Sequence, residues 1–165
     1  GKMSNFEGGT VVPMMMQWNK KIKPQTNYTQ MVSLLDIVPT ILDAVESPSL
    51  SNKYDGVSLL PFLDSNIDKP HNELFWKTGY VKSIISGNFK LHINEKENFK
   101  FLINLIDDPG ERNNLISKYP EKAEELTLKW NNWNKGLQQP KWDSNADVKI
   151  PVDNSENSKR YYFPW

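Results

Sequence analysis

Residues 73–105 read ELFWKTGYVKSIISGNFKLHINEKENFKFLINL, and this stretch decides the fold. It holds four short runs rich in β-branched and aromatic residues: Glu73–Lys77, Tyr80–Ile85, Asn88–Ile93 and Phe99–Leu105. Such residues fit a pleated, partly buried surface. Ser86-Gly87 between the second and third runs has the chemistry of a two-residue hairpin turn. The reading is a four-stranded antiparallel meander, closed by the turn Asp107-Asp108-Pro109-Gly110.

Downstream, a helix is predicted from about Pro120 to Leu137. Pro120 suits its first position, where a missing N–H costs nothing, and Glu121 and Glu124 suit the positive end of its dipole. Ala123, Leu126, Trp130, Trp133 and Leu137 recur at three and four residues and form one stripe. That stripe is expected to pack on the sheet, which assigns both Trp to the core. The tail from Gln138 is expected to be irregular, with its aromatic end folding back.

Upstream, Asp64 to Asn72 is polar, contains Pro70 and reads as a linker. Asp55-Gly56 marks a turn, and Ser58 can cap a short helix over residues 59–63. Gln30 to Glu46 has helical spacing through Leu35, Val38, Ile41 or Leu42, and Val45. With Asp36 as N-cap, Pro39 falls in the first turn. Gly8-Gly9 leads into Thr10–Trp18, a near-continuous apolar run expected to be a strand buried on both faces, with Pro13 at an edge, bulge or start. The fold class is α+β. The expected division is residues 1–64 as the end of a larger α/β domain, 65–142 as a small antiparallel subdomain, and 143–165 as a tail.

Composition narrows the function. Among 165 residues, Lys+Arg and Asp+Glu balance at 20 each, which argues against a general nucleic-acid or membrane-surface binder. Only Arg112 and Arg160 are arginine, so bidentate phosphate recognition has little to work with. There is no cysteine, which excludes disulfides, thiolate zinc sites and a cysteine nucleophile within this sequence. The mean hydropathy is −0.64, and no run reaches membrane-spanning length.

Chemical motifs are scarce. No glycine-rich phosphate loop, G-x-S-x-G or H-E-x-x-H occurs. His71 and His92 have no ligand-spaced partners nearby and are expected to be structural or solvent-facing. Asp107-Asp108 reads as a solvated turn, and no metal site is expected.

Several segments taken together resemble a known family. EGGTVVP (7–13), VSLLDIVPTILDAV (32–45), DGVSLLPFL (55–63), ELFW (73–76), ISGNFKL (85–91), LINLIDDPGERNNL (102–115) and YPEKAEELTLKWNNWNKGLQQPKW (119–142) occur in order. This succession is similar to the C-terminal part of the formylglycine-dependent sulfatases, the arylsulfatase-like branch of the alkaline phosphatase superfamily.

The resemblance implies a fold: the last strand and helix of a large α/β domain, then a four-stranded antiparallel sheet with a packed helix. It also implies hydrolysis of sulfate esters by a formylglycine hydrate, with Ca2+ neutralising the sulfate oxygens. Fixed cations would meet the charge developing on those oxygens. Within the GK…EGG segment, Lys2 matches a catalytic lysine that binds a sulfate oxygen and can protonate the leaving oxygen. From the residues alone, Lys2 reads as an exposed, frayed terminal lysine, and only the resemblance gives it a catalytic role.

The nucleophile motif, Cys or Ser followed by x-Pro-x-Arg, and the metal-binding Asp and Asn residues are absent from these 165 residues. Formylglycine and Ca2+ are therefore implied only for a longer parent, and the chain alone is expected to be inactive. Two other readings stand beside this one: a related phosphonate or phosphodiester hydrolase, and a non-catalytic glycan-binding module. The resemblance implies a sulfated small molecule or glycan as substrate, and a periplasmic, secreted or lysosomal location. The opening segment is expected to be interior to a longer chain, and the isolated chain to self-associate through apolar surface left uncovered.

Overall fold

A computed structural model of the chain describes residues 4–47, 54–63, 69–139 and 141, and the backbone of 147–151 and 160–164. The chain divides into two compact units, Pro13–Asn72 and Gly1–Val12 with Glu73–Trp165.

The larger unit is built on the meander. Strands β1 (Glu73–Thr78), β2 (Val81–Ser86), β3 (Phe89–Asn94) and β4 (Phe99–Asn104) pair antiparallel in the order β1-β2-β3-β4. Gly79 and Gly87 sit at the first two turns with φ of 56° and 59°, a region that favours glycine. The register aligns Trp76, Ser83, His92 and Phe101 in one row across all four strands.

Helix α3 (Pro120–Asn134) covers one face, as the stripe predicts for Ala123, Leu126, Trp130 and Trp133, while Leu137 lies beyond the helix end and is exposed. Ala123, Leu126 and Trp130 are buried against Ile84, Leu91, Ile93 and Leu102. The Trp133 ring stacks on Phe75 at 4.8 Å, and Trp130 Nε1–H donates to the Trp76 carbonyl at 3.1 Å. Asn114 guards the β4 edge: its side chain accepts from Leu102 N–H and donates to the Lys100 carbonyl.

The opposite face is also buried. Val81, Ile85, Phe101 and Ile103 are enclosed there, which explains the adjacent apolar pairs Ile84-Ile85 and Leu102-Ile103. An antiparallel sheet with one wet face would alternate instead. Part of the cover is the segment Ser4–Thr10, whose last four residues form the single helical turn α1 (Glu7–Thr10).

Two local expectations are corrected. Thr10–Trp18 is not a paired strand: Thr10 closes α1, and residues 11–18 have no ladder partner among the described residues. A strand is defined by its neighbour, and this run leaves Met15 97% exposed. The tail is not wholly irregular: β5 (Asp147–Pro151) pairs antiparallel with β6 (Arg160–Pro164). Residues 142–146 and 152–159 lie outside the description.

In the smaller unit, a 3-10 turn, Leu34–Asp36, runs into α2 (Ile37–Ala44), with Pro39 in its first turn. Asp36 precedes the helix as expected, but its side chain does not cap it. It is fully buried and accepts from Ser33 N–H at 2.7 Å, Val57 N–H at 3.0 Å and His71 Nε2 at 2.8 Å. Thr40 repeats the tie, donating to the Asp36 carbonyl and accepting from Leu59 N–H. At Gly56 a Cβ would stand 2.1 Å from the Leu35 carbonyl oxygen, so the close approach requires glycine.

Candidate active-site segment and its buried clamp

The segment that carries the Lys2 motif runs from Ser4 to Thr10 within the described residues, while Lys2 itself lies outside them. What holds this segment is a polar cluster on the sheet face opposite α3. Strand β3 supplies Lys90 and His92, two apart and therefore on one face. The loop after β4 supplies Glu111, and α1 supplies Glu7.

The fully buried Lys90 ammonium lies 2.7 Å from Glu7 Oε1 and 3.1 Å from Glu111 Oε1. Glu111 Oε2 accepts the Glu7 backbone N–H at 2.6 Å, and Glu111 Oε1 is 3.2 Å from His92 Nε2. His92 Nδ1 is 2.7 Å from the Ser83 hydroxyl. The Phe6 ring lies on His92, with centroids 4.1 Å apart, and Thr78 donates to Asn5 Oδ1. Each polar residue of Ser4–Glu7 is thereby tied down or enclosed.

The tautomer follows from chemistry. A carboxylate only accepts, so His92 Nε2 carries the hydrogen and donates to Glu111, leaving Nδ1 to accept from Ser83 O–H. Ser83, His92 and Glu111 thus form a hydrogen-bonded chain with the residue types of a hydrolase triad. Ser83 is fully buried in the sheet, so no substrate reaches its oxygen, and the chain is a strut.

Glu111 is placed with care. Its φ is 53°, in a region costly to a residue with a Cβ. Asp108 closes the loop around it, one carboxylate oxygen accepting the N–H groups of Arg112 and Asn113, just after Glu111, at 2.7 Å each. The Asp107-Asp108 turn is therefore a scaffold for Glu111.

The electrostatics fit a neutral histidine beside a charged carboxylate. Burial, reinforced by the Lys90 charge, lowers His92 from 6.5 to about 4, against the opposing hydrogen bond to Glu111. For Glu111, burial pushes the carboxyl up, but the His92 hydrogen bond, the Lys90 charge and the Glu7 N–H together hold it below the usual range.

A pH dependence follows. Between pH 6.5 and about 4 the unfolded chain takes up a proton that folded His92 refuses, so stability falls as pH falls across that window. The full loss is about 3 kcal/mol. Glu111 adds in the same direction: its contribution is present above the unfolded carboxylate value and is lost as pH falls through its lower folded value. Urea unfolding at pH 7 and pH 4.5 measures the effect, and His92→Gln is expected to flatten it. An NMR titration of His92 with a midpoint near 6.5 would contradict this account.

Sequence reasoning expected His92 to be structural or solvent-facing, and it is buried and hydrogen-bonded within the sheet, but Glu7, Lys90 and Glu111 were missed. The signal was available: a meander apolar on both faces leaves no wet side for Lys90 and His92. Among the described residues no group of three His, Asp or Glu is arranged to hold a metal. The Asp36 oxygens are taken by Ser33, Val57 and His71, and the Glu111 oxygens by Glu7, Lys90 and His92. These carboxylates do not fit a Ca2+ site. No helix among the described residues is long and apolar enough to cross a membrane.

Residues 2–135 match the model of the N-sulphoglucosamine sulphohydrolase C-terminal family. The uncharacterized sulfatase YdeN of Escherichia coli is 44% identical over 81 residues, covering 48% of this chain and 14% of its own. Chicken (Gallus gallus) arylsulfatase K is 30% identical over 140 residues, covering 76% of this chain and 26% of its own. A solved Bacteroides thetaiotaomicron sulfatase, from a locus for metabolism of multiple glycosaminoglycans, superposes with a TM-score of 0.68 at 22% identity. It covers 82% of this chain and 31% of its own, and it supports the fold. The chain thus spans under a third of the length of these relatives. With the family model matching most of its length and the sheet, helix and EGG segment in place, the chain belongs to the sulfatase family, within its C-terminal region.

Proposed function

We propose that this chain is the C-terminal part of an enzyme that hydrolyses sulfate esters, and that it contributes Lys2 to the sulfate site. The family match over residues 2–135, which begins at the lysine of the GK…EGG segment, carries the reading. An ammonium is a compact charge with rotatable donors, suited to an oxyanion that gains charge in the transition state. The formylglycine nucleophile and Ca2+ belong to the remainder of the parent enzyme. Phosphonate or phosphodiester hydrolysis and a stand-alone glycan-binding role are not favoured by the match.

The substrate class proposed is a sulfated glycan, supported by the glycosaminoglycan locus of the structural relative. The proposed location is an exported or lysosomal compartment. Residues 1–64 are proposed to complete a larger α/β domain, whose Ser4–Thr10 segment packs on the sheet of the small subdomain 65–142, with 143–165 as its tail. In support, Val11, Val12 and Met15, Leu34 and Leu35 in the turn before α2, Val38 and Ile41 on it and Val45 just after it are all exposed. Apolar surface of this extent asks for a cover, and without one the isolated chain is proposed to self-associate.

The experiment is Lys2→Ala in the complete enzyme, assayed with 4-nitrophenyl sulfate and a sulfated glycosaminoglycan oligosaccharide. A fall in kcat of about a hundredfold is expected, typical of a lost oxyanion donor. Unchanged turnover would remove Lys2 from the reaction.

A further inference from the structure

We infer that Glu7, Lys90 and Glu111 are positioning residues: their buried cluster fixes the segment that follows Lys2 and so sets where the lysine reaches. The inference rests on the proposed role of Lys2. Its own support is independent of that role.

Five residues before Glu7 stands Lys2, and the span between them includes Ser4 and Asn5, both buried, and Phe6, seated on His92. Glu7 is gripped twice, by its side chain through Lys90 and by its backbone N–H through Glu111. A single grip would leave the segment free to pivot. Two grips from different elements, β3 and the loop after β4, fix orientation as well as position.

The cluster also has features that packing alone does not require. Lys90 buries a charge in the middle of a sheet face where an apolar residue would pack with less desolvation cost. Glu111 occupies a left-handed backbone position in order to face it. Charge-assisted hydrogen bonds of this kind hold geometry more tightly than apolar contact. Catalytic groups need that tightness, since a displacement of about 1 Å can cost a hundredfold in rate.

The test uses Glu7→Gln, a near-isosteric change at a side chain that is 28% exposed and so keeps the fold. In the complete enzyme, kcat for 4-nitrophenyl sulfate is expected to fall about tenfold with KM little changed. Hydrogen exchange is expected to quicken at residues 4–10 while β1–β4 stay protected. The deciding measurement is the double variant Glu7→Gln with Lys2→Ala. If Glu7 acts through Lys2, the pair is no slower than Lys2→Ala alone. Multiplying effects would overturn the inference, because they would mean that Glu7 acts on turnover without Lys2. A Glu7→Gln enzyme with full kcat would overturn it too. If Lys2→Ala alone keeps full turnover, the proposed role of Lys2 is what fails. Glu111→Gln provides the second variant, expected to loosen residues 4–10 more strongly, since it weakens the grips of Lys90 and the Glu7 N–H together.

Discussion

Trp130→Ala is expected to lower the stability of the sheet-and-helix unit by about 4 kcal/mol, the middle of the range for aromatic truncations in a core. Trp130 is fully buried at the centre of the α3 contact, among Ile84, Leu91, Leu102 and Leu126. Its removal opens a cavity that strands on one side and a helix on the other are poorly able to fill. It also leaves the Trp76 carbonyl without the indole N–H and removes the ring beneath the Lys82 ammonium, 4.4 Å from its centroid. Trp130→Phe keeps much of the ring volume and is expected to recover most of the loss. Urea unfolding followed by far-UV circular dichroism measures both. A loss below about 1 kcal/mol for the alanine variant would show that the site collapses and that Trp130 is not the keystone of this face.

Lys90→Met is expected to cost a similar amount, about 3–5 kcal/mol near neutral pH, for a different reason. Methionine fills the space, so no large cavity forms. What is lost is the cation between Glu7 and the nearly buried Glu111. Removing one partner leaves a carboxylate in a poorly solvated place with only His92 and the Glu7 N–H to answer it. The Lys90 charge also helps to depress His92, so the variant should raise the His92 value. A proton then takes over part of the lost positive charge, and the penalty should shrink as pH falls. Replacing all three charges with apolar residues of similar volume is expected to cost less than the single change. A Lys90→Met penalty that is small, or that grows in acid, would contradict the clamp as described.

The meander and α3 were legible because their signals are local. Runs of β-branched and aromatic residues, the Ser86-Gly87 turn and a three-four stripe each name an element without reference to distant sequence. Thr10–Trp18 was misread because its composition is that of a buried strand, while pairing depends on a neighbour that composition does not reveal. Asp36 was placed at the right boundary, but its role comes from Val57 and His71, which are distant in sequence. Glu7, Lys90 and Glu111 were missed for the same reason: each looks like a surface charge until the second face of the sheet is seen to be covered. Lys2 was reached through the family resemblance, and no local pattern would have singled it out.

The clamp joins residues 83 and 104 positions apart along the chain, Glu7 to Lys90 and Glu7 to Glu111. Loops of that length are costly to close, so neighbouring strands pair before the clamp does. Synthesis runs from the N-terminus, and the segment after Lys2 emerges long before its anchors. Until Glu111 has left the ribosome, Glu7 has nothing complete to dock against. A message that stops short of that codon can still encode Lys2 and most of the sheet, yet it yields a segment with no second grip. Docking of the Ser4–Thr10 segment is in this sense a readout that the chain has been translated past its last strand of the meander.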